Sequence, residues 1–90
     1  MAAGDAVTLR YWAAARQAAG TDLERYESVT TLAGLLDRAQ AMHPDGELAG
    51  VLSRCSYLVD GQPVGRRPHA QVMLAPGSTV EALPPFAGGS

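Results

Sequence analysis

From Val7 the chain alternates, with Val7, Leu9 and Tyr11 set against Thr8 and Arg10. A period of two is the mark of a strand with one buried face. Trp12 interrupts it, an apolar residue on the polar face. The alanine-rich run from Ala13 to Ala19 then favours a short helix, and Gly20 is placed to end it. Between Asp22 and Ser28 a weaker strand is expected, with Leu23 and Tyr26 on opposite faces. Next the period becomes helical. Leu32, Leu35, Leu36, Ala39 and Met42 form one stripe, Thr30 or Thr31 can cap its start, and Pro44 with Asp45-Gly46 stops it. Leu48, Val51 and Leu52 predict a further turn or two of helix.

Extended segments then return. Tyr57-Leu58-Val59 runs into Asp60-Gly61, a tight-turn pair, and Val64 resumes an extended segment. Gly65-Arg66-Arg67-Pro68-His69 reads as a loop, and Val72 and Leu74 alternate in a short expected strand closed by Pro76-Gly77. In the last strand Val80 and Ala82 face inward, while Thr79, Glu81 and Leu83 face outward. Strands before and after a long apolar-faced helix predict an α+β domain, a mixed sheet of four to five strands with one main helix packed on one face. A crossover helix permits the first and last strands to be parallel neighbours. Their C-terminal ends would then lie together, with Trp12 and Leu83 adjacent on the open face. Exposed apolar residues gathered there predict a docking patch. The competing reading has Trp12 folding over the sheet edge merely to cover it.

Composition narrows the function classes. Ninety residues, 47% of them hydrophobic, allow one small domain with a single core. A net charge of −2 without a basic run gives no reason to expect nucleic acid or an anionic membrane. No apolar run approaches a membrane span and no signal peptide is read ahead of the first strand, so the expected compartment is the cytoplasm. All seven basic residues are arginine, which excludes lysine-linked chains and a Schiff-base or phosphate-binding lysine. The single cysteine, Cys55, excludes a disulfide framework, a four-cysteine zinc site and a cysteine-ligated cluster within one chain. Cys55 heads an apolar strand and reads as a small buried residue. His43 reads as a helix C-cap and His69 as a loop residue, neither with a second ligand at metal spacing. Ser53-Arg54-Cys55-Ser56 lacks the flanking elements of an activated nucleophile, so the domain itself is not expected to catalyse a reaction.

The end of the chain changes character abruptly, in Leu83-Pro84-Pro85-Phe86-Ala87-Gly88-Gly89-Ser90. Two prolines remove backbone donors and hold the chain extended, so the sheet cannot continue through them. Two glycines then leave the backbone without side chains. A frayed terminus is the plain alternative. Stiff prolines and an apolar Phe86 between strand and glycines suggest instead a projected probe. The expected division is a domain over 1–83 and an extended tail over 84–90.

Three stretches carry a resemblance. They are Tyr11-Trp12-Ala13-Ala14-Ala15-Arg16, Val59-Asp60-Gly61 and above all Leu83-Pro84-Pro85-Phe86-Ala87-Gly88-Gly89. From Val7 the chain resembles the ubiquitin-like β-grasp sulfur carriers of the MoaD/ThiS group, especially the small subunit of molybdopterin synthase. The resemblance implies that an E1-like activating enzyme uses ATP to adenylate the carboxylate of Gly89. Adenylation converts a carboxylate oxygen into a leaving group, so a sulfur nucleophile can displace it. The resulting thiocarboxylate would enter the large subunit of molybdopterin synthase and donate sulfur to cyclic pyranopterin monophosphate. By the same resemblance, Gly88 lets the tail pass a narrow channel, Pro84, Pro85, Phe86 and Ala87 direct it, and Trp12 and Leu83 form part of the partner surface. No bound cofactor and no metal are implied. One departure stands out, because Ser90 follows the second glycine. Either a protease removes Ser90 after synthesis, or it blocks the chemistry, or it was added to the natural chain. Processing of that kind raises an alternative, a carrier for cysteine, thiamine or natural-product sulfur incorporation. A non-covalent β-grasp interaction module is the reading from a different class.

Overall fold

The computed structural model describes residues 5–85, so Phe86, Ala87, Gly88, Gly89 and Ser90 lie outside the described residues. Five strands form one sheet: β1 (Val7–Tyr11), β2 (Leu23–Tyr26), β3 (Ser56–Val59), β4 (Gln62–Pro63) and β5 (Thr79–Leu83), in the order β2-β1-β5-β3-β4. β1 and β5 run parallel at its centre, and the other pairs are antiparallel. The described chain also holds three α-helices: α1 (Ala13–Ala19), α2 (Leu32–Met42) and α3 (Glu47–Leu52). The expected α+β sheet with one main helix is the one observed.

Local chemistry accounts for most boundaries. Gly20 ends α1 in the left-handed region at φ 77°, with its N–H bonded to the Arg16 carbonyl at 2.9 Å. Thr31, rather than Thr30, caps α2, its hydroxyl oxygen accepting the Gly34 N–H at 3.1 Å. Asp60 and Gly61 both have positive φ, 50° and 83°, as a two-residue hairpin turn between β3 and β4 requires. The Asp60 carboxylate does more than turn the chain. It accepts the Thr79 N–H and the Ser78 hydroxyl, each at 2.9 Å, and so fastens the hairpin to the start of β5.

The core forms where the inward sides of β1 and β5 meet α2. Leu9, Tyr11, Val80, Ala82, Leu32, Leu35 and Ala39 are all buried, together with Leu48 of α3. Val80 and Ala82 point inward as expected, with Thr79, Glu81 and Leu83 half-buried on the other side.

Several expectations are corrected. Met42 lies at the end of the helical stripe but is 63% exposed, because the last turn of α2 carries it past the packed face. Val72 and Leu74 are buried but form no strand. A 3-10 turn at His69–Gln71 precedes them, and their backbone bonds go to the start of α2 instead. The Val72 carbonyl accepts the Leu32 N–H at 2.9 Å, and the Leu74 N–H donates to the Thr30 carbonyl at 2.8 Å. Cys55 precedes β3 rather than heading it and is half-buried, its thiol donating to the Val51 carbonyl at 3.4 Å. Burial pushes that thiol up to about 11, which disfavours the reactive thiolate. His69 is also half-buried, its ring set edge-on to Tyr57 at 5.3 Å.

Candidate functional site

The parallel pairing of β1 and β5 builds the site. Tyr11 is in register with Ala82, so the next residues, Trp12 just past β1 and Leu83 at the end of β5, stand side by side. The Trp12 N–H still reaches the Ala82 carbonyl at 3.3 Å. Both residues lie where the chain departs through Pro84 and Pro85. Trp12, Ala13, Leu83 and Pro84 line a notch of about 330 Å³ with an almost wholly apolar surface.

A sharp backbone turn opens this notch. Ala13, the first residue of α1, has φ 50°, a left-handed conformation that L-residues avoid. It swings the chain from strand to helix and leaves Trp12 40% exposed on the rim. Non-glycine strain of this kind concentrates at functional positions.

The indole is held on two sides. Its Nε1–H donates to Oε1 of Glu81 at 3.0 Å, and the Arg10 guanidinium carbon lies 5.5 Å from the ring centroid, within cation–π range. Both contacts come from the central strands, Glu81 from β5 and Arg10 from β1. The structure brings Trp12, Leu83 and Pro84 together as the sequence pattern predicts, and Pro85 follows in the exposed chain. Ala13, Arg10 and Glu81 were not anticipated in this role. For Arg10 and Glu81 the signal was the alternation itself, which puts them on the same face as Trp12 and Leu83; Ala13 carried none.

On the inward side of the sheet, reached by Tyr11, lies a polar cluster of another kind. Glu24 of β2 accepts hydrogen bonds at Oε1 from the hydroxyls of Tyr11 and Tyr26, both at 2.7 Å. The Nε2 of His43 lies 2.9 Å from Oε2 and 3.1 Å from Oε1 of the same carboxylate. Burial pushes the Glu24 carboxyl up, but the bonds from Tyr26, Tyr11 and His43 outweigh it and hold the group below its ordinary range. Tyr26 is pushed up to about 12, by burial first and Glu24 second, and Tyr11 is raised further for the same two reasons. His43 is the expected C-cap of α2, with its ring engaged in this cluster. The cluster ties β1, β2 and the end of α2 together. Among the described residues no group of three acidic, histidine or cysteine side chains is placed to hold a metal ion.

Residues 9–89 match the ThiS family. The chain belongs to that family. It is thereby one of the ubiquitin-like sulfur carriers that its tail motif resembles. Over 81 residues it is 31% identical to a molybdopterin synthase sulfur carrier subunit of Aspergillus niger, covering 90% of this chain and 91% of the relative. The crystal structure of SAMP1 from Haloferax volcanii superposes with a TM-score of 0.76 at 20% identity, covering 93% of this chain and 99% of the other. The solution structure of Urm1 from Trypanosoma brucei gives 0.68 at 19% identity, over 99% and 100% of the two chains. At such identities these two structures speak for the β-grasp fold alone.

Proposed function

We propose that this ThiS-family chain is the sulfur-carrying small subunit of molybdopterin synthase, with Gly89 as the carrying residue. The observation that supports it best is the apolar notch at the point where the chain leaves β5 toward Gly88-Gly89. A tail that must enter a partner's active site needs its base anchored, and the notch offers a shaped apolar anchor there. The Aspergillus niger relative, alike along nearly its whole length, supports the choice of pathway.

The chemistry falls to the tail and its partners. An E1-like enzyme takes the Gly89 carboxylate and ATP to an acyl-adenylate with release of pyrophosphate. A sulfur nucleophile then displaces AMP, leaving a thiocarboxylate. The large subunit of the synthase receives the tail, and the sulfur passes to cyclic pyranopterin monophosphate. The chain contributes no cofactor of its own, and ATP belongs to the activating enzyme. Pro84 and Pro85 stiffen the base of the tail, Phe86 and Ala87 carry it onward, and Gly88 keeps it narrow. The domain over 1–83 presents the tail over 84–90. The cytoplasm is the proposed compartment; among the described residues no helix is long and apolar enough to cross a membrane.

This chemistry requires a free carboxylate on Gly89, so the amide to Ser90 must first be cut by a protease. One extra residue displaces the reactive carbon by roughly 3.3–3.6 Å along an extended chain. Reaction demands closer alignment than that. A chain ending at Gly89 is expected to gain sulfur in place of one oxygen, read by mass spectrometry, when incubated with the activating enzyme, ATP and a sulfur donor. The 90-residue chain is expected to stay unchanged. Equal conversion of both, or sulfur found on Ser90, would overturn the assignment of Gly89. Delivery to a cysteine or thiamine precursor, with none to the pyranopterin, would move the chain to another pathway of the same carrier chemistry.

A further inference from the structure

We propose that Glu81 and Arg10 are positioning residues that fix the Trp12 indole as a rigid wall of the notch, and that the partner group received there is a wholly apolar side chain. The second half of this inference rests on the notch being the partner site; the first half does not.

The placement follows from register. Arg10 and Glu81 are directly paired on the parallel strands β1 and β5. Each stands two residues before a rim residue, Trp12 and Leu83, and side chains two apart share a face. An acidic and a basic side chain are thus delivered together beneath one tryptophan. The Glu81 carboxylate takes the indole Nε1–H at 3.0 Å, while the Arg10 guanidinium stands 5.5 Å from the ring centroid. Held by an acceptor at its edge and a cation over its ring, the indole has little freedom to rotate away from Leu83 and Pro84.

Two consequences follow for recognition. An exposed aromatic side chain that is mobile before binding must be ordered by the partner, a loss of about two- to tenfold in affinity. A clamped indole avoids that loss. Moreover the only polar atom of the indole is already satisfied by this chain's own carboxylate. An incoming side chain therefore meets carbon surface and needs no acceptor, which favours an aliphatic or aromatic anchor over a polar one.

Trp12 is the single tryptophan, so its fluorescence reports the clamp without interference. The experiment compares the full chain with Glu81→Ala, Glu81→Gln and Arg10→Gln by acrylamide quenching, anisotropy and thermal melting. Association is measured with the large subunit of molybdopterin synthase as probe. Glu81→Ala is expected to lower anisotropy, to raise the quenching constant about twofold, and to weaken association about two- to tenfold, with the melting midpoint unmoved. Glu81→Gln keeps a carbonyl acceptor at the same reach and is expected to restore most of both signals. In a Trp12→Phe background, which has no N–H to hold, Glu81→Ala is expected to leave affinity unchanged. Unaltered quenching and anisotropy in Glu81→Ala would overturn the clamp. An equal affinity loss in the Trp12→Phe background would show that Glu81 touches the partner directly, which also overturns it. Should Glu81→Ala fail to fold, Arg10→Gln removes the cation over the ring instead and is expected to lower anisotropy and raise quenching, and unaltered signals there would overturn the clamp. If the probe does not bind the unmodified chain, the docking reading fails, while quenching and anisotropy still decide the clamp.

Discussion

Tyr11 and Trp12 are neighbours in the chain and are treated in opposite ways. Tyr11 ends β1 pointing inward, only 1% exposed, and gives its hydroxyl to Glu24. Trp12 turns outward, 40% exposed, onto the rim of an apolar notch. One region buries polar groups, the other exposes apolar ones. A buried hydroxyl without a partner is costly, so the inner cluster stands only because a single carboxylate satisfies two tyrosines and a histidine at once. Exposed aromatic surface costs the fold little but gains when a partner covers it. The contrast separates what holds the domain together from what the domain offers outside.

Removing the acceptor of the inner cluster should produce the largest effect. Glu24→Ala leaves the Tyr11 and Tyr26 hydroxyls and the His43 ring without their carboxylate. An expected loss of about 3 kcal/mol follows from two or three stranded buried groups. For a domain of this size that lowers the melting midpoint by roughly 12–24 °C. Partner affinity of the folded fraction should be unchanged, as titration calorimetry can show. Altered affinity with intact stability would mean that the cluster serves binding, and the division between the regions would fail.

The complementary change works on the rim. Trp12→Ala or Leu83→Glu should weaken partner association by about 2 kcal/mol, roughly thirtyfold. Thermal stability should stay within about 0.5–1 kcal/mol, since neither side chain is fully buried. Unfolding by either substitution, with unaltered affinity of what remains folded, would assign that residue to the core.

The smallest effect sharpens the comparison through pH. The folded Glu24 carboxyl lies below its ordinary value, whereas the unfolded one titrates near about 4.3. As pH falls, the unfolded chain takes up this proton before the folded chain does. The contribution of Glu24 is therefore complete above about pH 5 and declines with acid through the lower folded value. Glu24→Gln should flatten that part of the stability profile, measured by urea melts across the acid range. Trp12→Phe should leave it as it was. A profile unchanged by Glu24→Gln would show that other carboxyl groups govern acid sensitivity.

Periodicity by itself determined much of this protein. The alternation of β1 and β5, the stripe of α2 and the Asp60-Gly61 turn were legible because each depends on residues close in sequence. The tail motif, with its prolines and glycines, was legible as composition and carried the family. Tertiary structure decided the rest, for a physical reason: a period says which residues share a face, not what stands opposite. Glu24 read only as one charge in a weak strand until pairing with β1 and the end of α2 surrounded it with donors. Val72 and Leu74 alternate like a strand, yet their backbone groups found the start of α2 instead of a sheet edge. Arg10 and Glu81 stand 71 positions apart as numbered and meet only because β1 and β5 lie parallel and in register. The outward alternation put each on the open face; the register alone set them together around one indole.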